Sequence, residues 1–232
     1  MRNRVRRELT ALFAMIVAPN FALAQSVEDF YRGKTITLVI SMAPPDQHDN
    51  DGRALARHMS KHIPGNPNIV AQNMPGAGAL KAARHLAHVA PKDGLVFGIL
   101  QRGVYLMPLL GYPDATFDPM KYSYIGARSP ETSITVTWHA SRAKKLQDAI
   151  DGEVVLASAG GGGDGSVLPF LYNETLGTRF RVIGGYPGGG DMNLAVERGE
   201  VEGRGGWSMG AMRGTRDDWY REKKVNIILQ HA

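Results

Sequence analysis

"TITLVISMAPPDQHDNDGRALARHMSKHIPGNPNIVAQN", Thr35 to Asn73, decides the fold class. "TITLVIS" is rich in β-branched residues and ends before a proline pair, which is the pattern of a buried strand. In "GRALARHMSKHI" the residues Leu55, Met59 and Ile63 recur at i, i+4, i+8. That spacing predicts an amphipathic helix, stopped by "PGNP". "NIVAQN" then reads as a second strand running into "MPGAGA". Further on, a helix is expected over Leu80 to Val89 and, after the turn "PKDG", a strand at "LVFGIL". Strand, helix, strand, helix, strand is the order of a parallel sheet with covering helices.

The alternation pauses through "GYPDATFDPMKYSYIGARSPE", a passage of poor periodicity, and then restarts. "SITVTWHA", "EVVLASAG", "RFRVIGGY", "VEGRGG" and "VNIILQHA" read as strands. "AKKLQDAI", "GSVLPFLYNETLG", "DMNLAVERGE" and a segment near Trp207 to Tyr220 read as helices. Two α/β units joined by an irregular passage predict two lobes around a cleft, with lobe 1 over residues 25–127 and lobe 2 over 128–232.

Composition limits the function classes. With 232 residues, 43% of them hydrophobic, the chain can bury a core. The net charge of +5 suggests a nucleic-acid or membrane partner, but its location argues otherwise. Arg2, Arg4, Arg6 and Arg7 face only Glu8; removing these five from the totals of 27 and 22 leaves 23 Lys+Arg against 21 Asp+Glu. The body is nearly neutral, and no nucleic-acid partner is expected. The basic start leads into an apolar run, Leu9 to Ala18, and then "ALAQ", with Ala22 and Ala24 placed for a signal peptidase. This is the pattern of a secretory leader cleaved after Ala24, because about ten apolar residues are too few for a hydrocarbon core of roughly 30 Å. The expected location is periplasmic. Cysteine is absent, which removes disulfides and thiolate chemistry together.

In open α/β sheets a ligand lies beyond the carboxyl ends of the strands. Four such loops are unusual here: "MAPPDQHDND", "NMPGAGA", "ASAGGGGDGS" and "GYPGGGD". Glycine lets a ligand approach backbone N–H groups, and a following helix offers unsatisfied donors and the positive end of its dipole. Three of the four therefore suit an anion, most simply a carboxylate. "GGGGDGS" has no Lys before its Ser, so it is not a nucleotide-binding Walker loop. "GAGALKAA" lacks the third glycine of a dinucleotide fingerprint. "GGDGS" is not the G-x-S-x-G of a serine hydrolase. No catalytic residue and no cofactor are expected.

Several segments, in order and spacing, resemble the substrate-binding proteins of tripartite tricarboxylate transporters, the Bug receptors. "FYRGKTITLVISMAP" is similar to that family's opening strand. "ARHMSKHIPGNPNIVAQNMPGAG" resembles its first helix and V-V-x-N-R-P-G-A-G loop, and "VAPKDGLVFGIL" its next strand entry. "ASAGGGGDGSVLPFLYNETLG" resembles its serine-glycine loop and helix, and "VIGGYPGGGDMNLAVERGEVE" its tyrosine-containing loop and helix. The resemblance spans roughly Phe30 to Ala232. It implies an α/β fold of the periplasmic binding protein type II kind, two lobes closing over a small organic acid that a membrane permease then receives. It further implies a monomer with no enzymatic step. The carboxylate would be held by loops matching Ala43, Pro44, Asp46, His48 and Asp49, together with Pro75, Gly76, Ala77 and Gly78. From the second lobe it would be met by Ser158, Ala159, Gly160, Gly165 and Ser166 and by Tyr186 and Gly188. Members of the family continue beyond the strand matched by "VNIILQHA" and return to the first lobe, so the resemblance implies a chain lacking that C-terminal return. A lobe without it would expose an apolar patch prone to associate.

The departures are informative. The family's A-P-G-G-G-T-D falls on Ala43 to Asp49 with every glycine lost, its histidine on Phe170, the lysine after its tyrosine on Pro187 and a later aspartate on Ala195. Ligand identity is therefore not inherited. Asp46 and Asp51 add negative charge beside a site expected to take an anion, which weakens binding unless the charge is compensated. Three readings of "DQHDND" stay open: a solvated loop in which Asp49 or Asp51 caps the next helix; recognition of a cationic or donor part of the ligand by Asp46, His48 or Asp49; or a divalent metal on those side chains, which would also be the basis of a metal-dependent hydrolase. A ligand-sensing partner of a signalling system is a further alternative to a transport receptor. The histidines at 58, 62, 85 and 88 are expected on helix surfaces.

Overall fold

The structure is a computed structural model that describes residues 25–127 and 131–231. The leader expected over residues 1–24 lies outside them. Among the described residues no helix is long and apolar enough to cross a membrane.

Strand β1 (Thr35–Ile40) is the centre of a three-stranded parallel sheet, between β2 (Asn68–Asn73) and β3 (Val96–Ile99). Ile36, Leu38, Val39 and Ile40 are all buried, as apolar residues of a central parallel strand should be. The helix before β1, α1 (Val27–Tyr31), is capped by Ser26. After β1 comes α2 (Gln47–Met59), and here two expectations change. The helix begins five residues earlier than its apolar spacing suggests, and its N-cap is Asp46 rather than Asp49 or Asp51. The stripe of Leu55, Met59 and Ile63 is not core either. Leu55 is 39% exposed, and the buried positions of α2 are Asp49 and Gly52. Gly52 permits this contact, since a Cβ there would stand 2.6 Å from Ile40 Cδ1. The apolar stripe instead borders a wide groove of about 1830 Å³ that it shares with Ile36, Leu86, Val96 and Ile99. Periodicity shows that a face is apolar without showing what lies on it.

The helix expected over residues 80–89 is an α-helix, α3 (Leu80–Arg84), that widens into a π-type turn at His85–Val89. His58, His62 and His88 are exposed and His85 is half-buried.

The second sheet has the order β6-β5-β7-β4-β8. Its strands are β4 (Ser133–Trp138), β5 (Val154–Ala157), β6 (Phe180–Ile183), β7 (Gly203–Ser208) and β8 (Val225–His231). β5 runs parallel to β6 and β7, but β4 lies antiparallel between β7 and β8, so this sheet is mixed. Helices α4 (Leu146–Asp151), α5 (Asp164–Leu176) and α6 (Gly189–Glu197) connect the strands. The helix expected near Trp207 to Tyr220 is two, α7 (Met209–Thr215) and α8 (Asp217–Arg221), with Trp207 itself in β7. This half packs around Trp219, which is fully buried, with ring centroids 4.9 Å from Trp138 and 5.8 Å from Trp207.

Candidate functional site

All four unusual loops follow strands at the same end of their sheets, and they meet. Ala43 N–H donates to Pro187 O at 3.3 Å, and Gly190 N–H to Pro45 O at 3.1 Å. A Cβ on Gly160 would lie 2.9 Å from the Ala77 carbonyl carbon, and one on Gly188 would lie 2.6 Å from Ala43 O. The loops of the first sheet thus rest directly on those of the second.

Where they meet, a cavity of about 270 Å³ remains. Its walls include Pro75, Gly76, Ala77, Gly78, Ala159 and Tyr186, all expected from the sequence, with Met42, Ala79, Gly185 and Pro187 added. Among the described residues no charged side chain lines it. One wall is unusual in its backbone: Ala77, Gly78 and Ala79 all have positive φ, at 48°, 63° and 78°. Such angles at alanine are rare and cost of order 1–3 kcal/mol each, and strain of this kind clusters at ligand sites. The polar groups that this stretch can offer a ligand are its backbone amides, which carry no formal charge. Tyr186 supplies a phenol whose pKa is raised by partial burial and by Glu200. Together these are hydrogen-bond donors without formal charge.

The other expected residues are elsewhere. Ser158, Gly160 and Ser166 form a closed knot: Ser166 Oγ–H lies 2.7 Å from Ser158 Oγ and 2.9 Å from Gly160 O, and Gly160 N–H donates to Ser158 Oγ at 3.3 Å. Gly165 packs against it, a Cβ there lying 3.2 Å from Ser158 Oγ. Pro44 is exposed. Asp49, 4% exposed, takes both oxygens to Arg53 Nε at 3.0 Å and accepts from Asn73 Nδ2 at 2.8 Å. Asn73 Nδ2 also reaches Met42 O, so Asp49 ties the start of α2 to the ends of β1 and β2.

Asp46 does the same across the two sheets. Oδ1 accepts from His48 N–H at 2.8 Å and lies 2.9 Å from His48 Nδ1, while Oδ2 accepts from Gly189 N–H at 3.1 Å. Burial by itself would raise its pKa, but the His48 contacts and the charge of Arg204 outweigh that and hold it below the ordinary carboxylate value. Arg204 is the residue that sequence reasoning missed. It is 6% exposed, burial pulls its pKa down to about 10, and Asp46 opposes that fall. The one available signal was an arginine inside a predicted strand, in "GRGG". Gln47 Nε2 donates to Asp51 Oδ1 at 2.7 Å. Among the described residues no three histidine or acidic side chains are grouped to hold a metal ion. The acidic loop is therefore the first turns of a helix whose two buried carboxylates are engaged by protein donors.

No family profile matches this sequence, and neither does any curated protein. Solved structures do. MatC from Rhodopseudomonas palustris with bound malate is similar with a TM-score of 0.72 at 22% identity, over 86% of this chain and 67% of that one. A periplasmic transporter protein is similar with a TM-score of 0.71 at 19% identity, over 86% and 66%. Rpa4515 of R. palustris with adipate is similar with a TM-score of 0.69 at 18% identity, over 85% and 65%. The chain has the α/β fold of these proteins and spans about two thirds of their length.

Proposed function

We propose that this chain is a periplasmic solute-binding receptor of the tripartite tricarboxylate transporter type, which captures a small carboxylate-containing metabolite for a membrane permease. The observation that carries the reading is the cavity of about 270 Å³ at the junction of the loops, walled by the left-handed turn Ala77–Ala79 and by Tyr186. A volume just below the roughly 300–1,000 Å³ of drug-sized sites suits a metabolite. An uncharged wall of amide and phenol donors suits a carboxylate, which accepts several such bonds at once. Likeness of fold to proteins with malate and adipate supports the same class of ligand. In this reading lobe 1 spans residues 25–127 and lobe 2 residues 128–232, and the two would close by a hinge between them. Capture needs no bond to form or break, so no catalytic group is assigned, and the leader ending at Ala24 would direct export.

The test is a thermal-shift screen of the chain from Gln25 against mono-, di- and tricarboxylates, followed by calorimetry. A ligand at about 100 times its Kd adds about 2.7 kcal/mol to the native state, a shift of several degrees. Saturable binding of an acid without turnover is the expected result. A screen in which no carboxylate shifts the melt, or in which an acid is consumed in the presence of a divalent ion, would overturn the proposal.

A further inference from the structure

Asp46 sits where the surrounding residues make a place for an anion. Helix α6, nine residues long, begins with Gly189, whose N–H is directed at Asp46 Oδ2. Such a helix start favours negative charge through its free donors and dipole. Opposite lies Arg204. A Cβ placed on Gly189 would stand 2.8 Å from Asp46 Oδ2 and 3.6 and 3.7 Å from Nη2 and Nη1 of Arg204, so the carboxylate and the guanidinium face each other across a residue with no side chain. Arg204 is more than nine-tenths buried, and among the described residues its Nε has no hydrogen-bond partner. Nη1 donates to Asn193 Oδ1 at 2.6 Å and Gly189 O at 3.4 Å, and the Trp207 ring lies 4.2 Å beneath. A buried guanidinium with a vacant donor, next to a helix N-terminus, is costly unless an anion compensates it. That anion comes from 143 residues away in the chain.

The seat's residues, Asp46, Gly189 and Arg204, line the wide groove of about 1830 Å³, across the Ala43 to Pro187 hydrogen bond from the proposed ligand cavity. Seat and cavity are made by the same two loops: Met42, Tyr186 and Pro187 wall the cavity, whereas Asp46 and Gly189 meet at the seat.

We infer that the Gly189 N–H and Arg204 form a second carboxylate-binding seat that the chain fills with its own Asp46, so that the receptor takes monocarboxylates and rejects acids whose second carboxylate would reach this seat. The ligand class rests on the receptor reading; the seat itself does not. A second carboxylate that reached this seat would find its donors already taken by Asp46 and go unpaired, so the expected preference for a monocarboxylate over the diacid of equal length is at least about tenfold.

The seat is tested by emptying it. Asp46→Ala removes the carboxylate, and Asp46→Ser removes it while leaving a hydroxyl to cap α2. Each variant is melted with increasing acetate or formate, against chloride at equal ionic strength. A saturable rise in Tm with acetate in either variant, larger than any in the unaltered chain and with the excess abolished when Arg204→Met is added, is the expected result. If a variant has no cooperative melt in buffer, its recovery by acetate supports the seat equally. Acetate responses no larger than that of the unaltered chain, or responses indifferent to Arg204→Met, would overturn it. The ligand class is read separately: Asp46→Ser should gain affinity for a dicarboxylate, and an unaltered chain that prefers dicarboxylates would overturn that half while leaving the receptor reading standing. Should no organic acid bind the unaltered chain, the receptor reading fails and acetate recovery still decides the seat.

Discussion

Gly78→Ala and Gly177→Ala form a matched pair that measures whether the two sheets' loops touch in solution. Both glycines are left-handed, with φ of 63° and 71°. An alanine at such an angle costs about 1–2 kcal/mol, offset by about 0.4–1 kcal/mol from a less flexible unfolded chain. The net loss is about 1 kcal/mol. At Gly177, which ends helix α5, nothing lies within 4 Å of the new methyl, so that loss is the whole effect. At Gly78 the methyl would overlap Gly163 N and stand 2.9 Å from Gly160 O and 3.0 Å from the Gly162 carbonyl carbon. These are backbone atoms, which cannot swing aside as a flexible side chain would. Overpacking of this kind adds about 1–3 kcal/mol, for a total of about 2–4 kcal/mol. At about 2–4 °C per kcal/mol for a chain of this size, Gly177→Ala should lower Tm by roughly 3 °C and Gly78→Ala by roughly 10 °C. Calorimetric melts give both values. The clash can also be relieved by parting the loops, in which case X-ray scattering shows a larger radius of gyration for Gly78→Ala alone. If the two variants melt together and scatter alike, the loops are not in contact and the cavity between them does not exist as described.

Three further outcomes are expected. Trp219→Ala empties a site enclosed by Trp138, Trp207 and Arg216, and should cost about 3–5 kcal/mol in urea unfolding; a loss under about 1 kcal/mol would mean that the tryptophan cluster is not the core of this half. Glu197 and Asp218 are held below ordinary carboxylate values chiefly by Arg216, so their folded pKa is depressed. The stability they contribute is present above the ordinary carboxylate range and is lost as pH falls below about 4, and Arg216→Met should flatten that acid limb in urea midpoints measured against pH; an unchanged limb contradicts the pairing. Tyr172 is pushed up to about 12 by burial and then by Asp164. Its contribution is therefore present below the ordinary phenol value and is lost as pH rises through about 10 to 12, which Tyr172→Phe should reduce in alkaline melts.

What the sequence disclosed follows from which physical signals are local. The βαβ order of the first half was legible because β-branched runs and turn residues announce strands one segment at a time, and β1, β2 and β3 lie within the stretches read as strands. Strand direction is not local: the residues of β4 alternate in the same way whether it pairs parallel or antiparallel, so the mixed second sheet could not be read. The start of α2 was missed because the Asp and Asn residues of this stretch favour turns and caps when taken singly. Here Asp46 accepts from the His48 N–H while Asp49 is pinned by Arg53 and Asn73. The cavity's "PGAGA" wall was legible from its glycines. Arg204 was not, because its role comes from Gly189 and Asp46 arriving from distant segments.

Acidic residues beside a site suited to carboxylates posed an electrostatic conflict, and the packing resolves it by charge compensation rather than by distance. A bare carboxylate within a few ångströms of a ligand carboxylate would oppose binding by several kcal/mol in a partly dry cleft. Asp46, however, spends both oxygens on His48 and Gly189 opposite Arg204, and Asp49 spends both on Arg53. Each negative charge is matched by a positive one before any ligand arrives, so the field reaching the cavity is that of dipoles, which falls off faster than that of a charge. Asp46 is also held on both sides of the junction, by the cap of α2 and by the first N–H of α6. Its carboxylate thus joins the two halves from within the chain.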